Sequence, residues 1–515
     1  MAAVGLLAAC ASGPPDGSEK ESRKADGTTL RVLASSELAD TNSVLDQARA
    51  ATGIEVKATW SGTLDAVEQI ASGRADGKYD AVWLSSNDYL RLRDGAERKV
   101  VSETSVMSSP VALGVSSAAV RRLGWKPDDV TWSQVHRAVT DGKLTYGMTD
   151  PARSNSGFSA LVSVTSGLSG AQSALTDAEV KKAGPKLTEF FAGQRLTSGS
   201  SGWLAEAYAQ RSTVDALINY ESVLLSMKRY GTAGPGRDLT VIRPRDGVVT
   251  ATYPLSALTS AKADARDATR ALTEYLRGPE AQRALTAETL RRPVVTSVPP
   301  AKELSGGRRR ELPFPASKSV ADGLLDAYEN KLRRPSRTVY VLDTSTSMRG
   351  DRLARLKKAI TSLTGDFRDR EEVTLIPFGS GVKWVRTHVV RPGDPEAGFE
   401  AIRKDARTLT AQGNTAIYSS LREAYDHLGP ANSDVFTSIV LMTDGENTAG
   451  DGVAAFEAHY RKLPAAARET PVFPILFGDS DKKELGDIAR LTGGRLFDAQ
   501  RGSLDEAFKE IRGYQ

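Results

Sequence analysis

At 515 residues the chain is too long for one hydrophobic core, and its length predicts roughly two to four domains. With 40% hydrophobic and 26% charged residues it falls in the soluble globular range, and its 68 basic and 64 acidic residues are well mixed, with no like-charge block beyond Arg308-Arg309-Arg310, which argues against nucleic acid as a partner. No run of about eighteen apolar residues and no repeat is visible, so a membrane-spanning helix is not expected.

The chain opens MAAVGLLAAC. Cys10 is its single cysteine, which excludes an intrachain disulfide and argues against a cysteine-based zinc site; His136, His388, His427 and His459 show no ligand spacing. Leu7-Ala8-Ala9-Cys10 resembles the lipobox of bacterial lipoproteins, and the resemblance implies lipidation at Cys10. The following ASGPPDGSEKESRKADG is rich in Pro, Gly, Ser and charge and reads as a flexible tether. Together they predict a protein held by acyl chains at the extracytoplasmic face of a bacterial membrane. No Lys or Arg precedes Cys10, so the translation start is expected upstream. Residues 1–27 are assigned to signal and tether.

Residues 28–300 read as one α/β domain. LRVLA, IEVKATW, YDAVWLSS, VALGVSS, KLTYGMTDP, VDALINY and DLTVIRP are strand-like, and helical patterns such as SGTLDAVEQIASG lie between them. This alternation implies parallel sheets, with ligands bound where strands end and helix amino termini begin.

The order and wording of these segments resemble the type 2 periplasmic solute-binding proteins, especially the molybdate-binding branch. The resemblance implies a ligand between two α/β lobes joined by crossover strands. Carried over by position, it makes Ser61 in TWSGTLDAVEQI, Ser156 (before Gly157) in DPARSNSGFSAL and Tyr220 in VDALINYESVLL ligand contacts. The first loop departs from the family: VLASSELAD places Glu37 where a serine hydroxyl is usual, while a shift of one residue would place Ser36 there. A carboxylate repels an oxyanion, which turns the expectation away from molybdate, sulfate and phosphate and toward neutral or cationic solutes. Helix N-capping is the alternative role for Ser61 and Ser156. A core or rim aromatic is the alternative for Tyr220, and a solvated helix-start charge for Glu37.

Residues 301–335 read as a linker followed by a connecting helix, SVADGLLDAYENKL, which has an apolar face to pack on one of its neighbours. Residues 336–515 alternate again. RTVYVLD runs into Asp343, Ser345 and Ser347 in D-x-S-x-S; QGNTAIYSSL carries Thr415 before a helix; SIVLMT ends at Asp444-Gly445. All three sites follow strands or precede helices at the edge where a doubly wound sheet binds ligands. Carboxylate and hydroxyl oxygens are hard donors suited to Mg²⁺, Mn²⁺ or Ca²⁺.

D-x-S-x-S, a lone Thr, then T-D-G is similar to the metal-ion-dependent adhesion site of von Willebrand factor A (VWA) domains, with Thr346 at a free position of the motif. The resemblance implies a doubly wound, Rossmann-like domain in which Ser345, Ser347 and Thr415 bind Mg²⁺ (or Mn²⁺ or Ca²⁺) directly. Asp343 and Asp444 then act mainly through water, and an acidic side chain of a partner protein completes the shell. Nothing resembles a nucleophile and base pair, so no enzyme is expected. Three functions stay open: an envelope-anchored docking protein, an ABC-importer solute receptor with the A domain as accessory, and a chelatase-like metal-insertion cofactor.

Overall fold

Val32, Leu33 and Ala34 are buried in succession, as befits a strand covered by helices on both faces. They belong to β1 (Thr29–Ser35) of a computed structural model that describes residues 27–211, 214–232, 238–304, 310–364, 367, 370–429, 432, 434–500, 504–512 and 514. Cys10 and the tether lie outside the described residues. The N-terminal module continues with β2 (Glu55–Ser61), β3 (Ala81–Trp83), β4 (Val100–Ser105), β5 (Ser109–Ser116), β6 (Tyr146–Thr149), β7 (Gln194–Ser198), β8 (Ala216–Tyr220), β9 (Leu239–Ile242), β10 (Thr250–Ala251) and β11 (Pro254–Leu258).

These strands form two lobes, one with the order β2-β1-β3-β11-β4, the other β10-β5-β8-β6-β7 with β9 against β5. The sheets are mixed rather than parallel. β1 to β3 run parallel, whereas β11 is antiparallel to β3 and β4, and β5 is antiparallel to β8. The exceptions have one cause: the chain crosses between lobes from β4 to β5 and from β10 to β11. A strand arriving from the other lobe needs no helical crossover and can pair in the opposite sense.

The connecting segment packs on this module and touches both lobes. Phe314 stands edge-on to Phe158 at 5.2 Å, and Phe158 meets Tyr89 of the first lobe at 5.7 Å. The helix Lys318–Ala327 buries Val320, Ala321, Leu324 and Leu325, and Lys318 pairs with Asp94 of the first lobe at 2.7 Å. Tyr328 lies 5.2 Å from Phe191 of the second lobe.

The C-terminal module is one sheet of β12 (Ser336–Asp343), β13 (Glu371–Phe378), β14 (Arg386–Val390), β15 (Phe436–Thr443), β16 (Val472–Leu476) and β17 (Phe497–Asp498). Its order is β14-β13-β12-β15-β16-β17, parallel except for the edge strand β14. Side chains alternate across β12: Val339 and Val341 join the core with Ile417 and Leu421, while Tyr340 and Leu342 join that with Leu356 and Phe508. At the opposite end from the D-x-S-x-S loop, Glu371 binds Arg512 at 2.5 Å and Arg333 at 2.6 Å, tying the C-terminal helix Leu504–Arg512 and the connector to β13.

Candidate metal centre and solute cleft

β12 and β15 are parallel neighbours, with Val341 opposite Leu441 and Leu342 opposite Met442, so both leave the sheet at one edge. There Asp343 Oδ1 accepts the Ser345 N–H at 2.7 Å, and Oδ2 accepts the Thr443 hydroxyl at 2.7 Å. The Ser345 and Ser347 hydroxyls are 2.9 Å apart, and Ser347 donates to Asp444 Oδ1 at 2.8 Å. Four of the five expected positions thus share one hydrogen-bonded chain. Thr415 stands beside it, its Oγ1 3.9 Å from where a Cβ on Gly445 would lie. Its carbonyl accepts the N–H groups of Thr448 and Ala449 at 2.8 and 3.1 Å, which fixes the loop.

Burial pushes the Asp343 carboxyl up, with the Thr443 hydrogen bond opposing. Among the described residues no three His, Cys, Asp or Glu side chains gather as a metal site, so a cation here would depend on hydroxyls beside two carboxylates. That donor set fits a hard ion.

Sequence reasoning missed the surroundings. Arg352, on the helix Asp351–Leu363, donates to Asp444 Oδ2 at 2.7 Å and to Asp479 Oδ2 at 2.6 Å, so any cation must share Asp444 with a guanidinium. Lys383 Nζ donates to the Thr344 and Thr410 carbonyls at 2.8 Å each. Gly478 adopts φ +58° with its missing Cβ only 2.8 Å from Asp444 Cβ, a place where a side chain would displace the carboxylate.

In the N-terminal module the ends of β1, β2 and β3 supply a buried hydroxyl network. Ser35 Oγ is 2.7 Å from Thr63 Oγ1, Thr63 is 3.0 Å from Ser85 Oγ, and Ser85 donates to Glu37 Oε1 at 2.5 Å. Glu37 sits in the turn Ser36–Thr41 and is 7% exposed, so it is not a solvated charge; burial pushes its carboxyl up, with Ser85 opposing. Ser36 lies beside it, equally buried. Arg291 donates to the Glu37 carbonyl at 2.9 Å and pairs with Asp40 at 2.7 Å.

Ser61 does not cap the helix that follows it. It ends β2; Gly62 is the N-cap, and Thr63, the first helical residue, supplies the hydroxyl. The cause is spacing: Gly62 lets the helix start approach the second lobe, where a Cβ would meet the Arg153 carbonyl at 2.5 Å. Ser156 is buried among hydroxyls, 2.8 Å from Thr149, 3.1 Å from Ser154 and 2.7 Å from Ser201; Ser154 holds the N-cap position instead. Tyr220 is wholly buried, its hydroxyl accepting from Asn155 Nδ2 at 3.0 Å; burial first, and then the Glu37 charge, hold its pKa well above the usual value.

The lobes are closed on each other: Leu64 N–H of the first donates to the Arg153 carbonyl of the second at 2.9 Å. Asn87 Oδ1, Asn155 Oδ1, Ser198 Oγ and Ser200 Oγ are buried without a hydrogen-bond partner among the described residues. Such groups normally find a partner, so this leaves capacity for a solute or water.

Comparison with known proteins agrees with this architecture. The profile of the bacterial extracellular solute-binding protein family matches residues 30–289, and that of the von Willebrand factor type A domain matches residues 338–446. The inter-alpha-trypsin inhibitor heavy chain H4 of Sus scrofa is 31% identical over 123 residues, 23% of this chain and 13% of its own. Heavy chain H1 of Bos taurus is 28% identical over 130 residues, 24% of this chain and 14% of its own. The chain therefore spans about a seventh of the length of these relatives. Among solved structures, the periplasmic binding protein AfuA from Actinobacillus pleuropneumoniae is 13% identical over 59% of this chain and 98% of that one, with a TM-score of 0.47. A periplasmic thiamin binding protein is 13% identical over 62% and 98%, with a TM-score of 0.46. Over about half of its length the chain belongs to the bacterial extracellular solute-binding proteins, and behind that module it carries a von Willebrand factor type A domain.

Proposed function

We propose that this is an envelope-anchored binding protein whose A domain docks a partner protein through a divalent cation. One observation carries the reading: the hydrogen-bonded chain from Asp343 through Ser345 and Ser347 to Asp444, with Thr415 beside it. The hydroxyls of Ser345, Ser347 and Thr415, with the two carboxylates, would hold Mg²⁺, Mn²⁺ or Ca²⁺. The bound ion supplies an electrophilic centre for a carboxylate of the partner. Arg352 neutralises part of Asp444, which leaves a bound ion short of protein charge and receptive to that carboxylate.

Family membership implies an extracytoplasmic protein. Among the described residues no helix is long and apolar enough to cross a membrane, and lipidation of Cys10 is the proposed anchor. The decisive test is calorimetric titration of the full chain with Mg²⁺ and Mn²⁺. Wild type should bind and the Asp343→Ala, Asp444→Ala double variant should not; equal binding by both ends the assignment. Partner capture should disappear in EDTA and return with Mg²⁺.

A second reading, an importer's solute receptor with the A domain as accessory, is favoured by Asn155 Oδ1, Ser198 Oγ and Ser200 Oγ, buried without a hydrogen-bond partner among the described residues. Retention of a small molecule in native mass spectrometry would support it. No comparable observation favours the chelatase-like reading.

A further inference from the structure

The candidate metal centre carries a cation of its own. Arg352 reaches Asp444 Oδ2 through Nη1 at 2.7 Å and Asp479 Oδ2 through Nη2 at 2.6 Å. The two carboxylates differ in setting: the Asp444 side chain is wholly buried, whereas that of Asp479 is 85% exposed. One guanidinium therefore spans from the floor of the site to its rim.

The chain is shaped to hold it there. Gly478 precedes Asp479 with φ +58°, and a Cβ on it would lie 3.2 Å from the guanidinium carbon of Arg352 and 2.8 Å from Asp444 Cβ. A glycine at this position lets the loop after β16 bring Asp479 past both groups. The Asp479 N–H donates to the Asp444 carbonyl at 3.1 Å, which fixes the two loops to each other. Asp444 Oδ1 accepts from Ser347, so both oxygens of this carboxylate have protein partners.

We infer that Arg352 is the resident counter-cation of the site: it neutralises Asp444 before an ion arrives and opposes the ion that does. Asp479 sets how much of the guanidinium charge falls on Asp444. The inference rests on the metal reading proposed above and adds the regulation of that site. A guanidinium on a carboxylate that an ion must share lowers the affinity for the ion by charge repulsion. Asp479 draws part of that charge outward, where solvent and salt screen it. A divalent ion bound alone is therefore held weakly.

The test is a double-variant cycle of Arg352→Gln and Asp479→Asn, with Arg352→Lys as the charge-retaining control, read by calorimetric titration of the full chain with Mn²⁺. Arg352→Gln should bind Mn²⁺ tighter than wild type by about tenfold or more, and Arg352→Lys should stay near wild type. Asp479→Asn should weaken binding on its own and change nothing beside Arg352→Gln, because Asp479 acts through the guanidinium. A merely structural Arg352 predicts the opposite sign, a fall in affinity on its removal. Equal or weaker Mn²⁺ binding by Arg352→Gln overturns the inference, and so does an Asp479→Asn effect that persists in the double variant. If wild type binds Mn²⁺ and Arg352→Gln binds it no better, this inference alone falls; if neither binds, the metal site falls with it. Should Arg352→Gln fail to fold, Asp479→Asn carries the test: weaker Mn²⁺ binding supports the inference, and equal or tighter binding overturns it.

Discussion

Replacing Trp203 with Ala should release the A domain from the second lobe. The helix Ser201–Arg211 of the solute module faces the A-domain helix Lys482–Thr492 across a shared pocket, and side chains make the junction. Trp203 is its centre: Arg495 lies over the indole at 3.7 Å, and the Tyr514 ring stacks 6.3 Å away with an interplanar angle of 23°. A partly desolvated cation–π contact contributes about 1–2 kcal/mol and an aromatic pair about 0.5–1 kcal/mol. Burial of part of the indole adds about 1 kcal/mol. These overlap, so the loss should be about 2–4 kcal/mol, a docking constant lowered roughly 30- to 700-fold. Small-angle X-ray scattering should show a larger radius of gyration for Trp203→Ala, and calorimetry should show two unfolding transitions where the docked protein has coupled ones. Scattering and calorimetric traces identical to wild type would refute the view that side chains at this position hold the modules together.

Glu371→Gln should cost about 3–5 kcal/mol, because it breaks the buried ion pairs that Glu371 makes with Arg333 and Arg512, both more than nine-tenths buried; a loss under about 1 kcal/mol in thermal unfolding of the variant would contradict this. Glu37→Gln should gain on wild type as pH rises. Burial raises the Glu37 carboxyl above its ordinary 4.5, so its favourable neutral form is fully present below that value, and the advantage is lost as pH climbs through the raised one. A melting-temperature difference between the two that stays constant from about pH 4 to about pH 8 would reject this environment for Glu37.

What was legible in the sequence follows the length of the signal. Asp343, Ser345, Ser347 and Asp444 lie in short contiguous motifs directly after fully apolar strands, so their convergence needed only that β12 and β15 be parallel neighbours. The cleft is built from single polar residues far apart, and adjacent hydroxyls at one helix start, such as Ser61 and Thr63, carry the same local signal while only Thr63 joins the buried network with Ser35 and Ser85. Ser85, Asn155 and Arg291 carry no local pattern at all; only tertiary packing makes them neighbours of Glu37 and Tyr220. β4 and β14 escaped notice because both are largely exposed edge strands with mixed composition, and β10 and β17 because each is two residues long. Arg352 looks like an ordinary charge on an amphipathic helix until Asp444 and Asp479, far along the chain, are folded beside it.

The helix Ser201–Arg211 links the two halves mechanically. Its first residue bonds Ser156 inside the cleft at 2.7 Å, and the Ser201 carbonyl accepts the Asn219 side-chain amide at 2.9 Å, so the helix start is fixed to the second lobe. Two residues on, Trp203 is gripped by Arg495 and Tyr514 of the A domain. Opening of the lobes must therefore carry the A domain with the second lobe and away from the turn Ser36–Thr41 of the first. The same movement would expose Ser156, Asn155 and Tyr220, so the grip on Trp203 couples the position of the A domain to the state of the cleft.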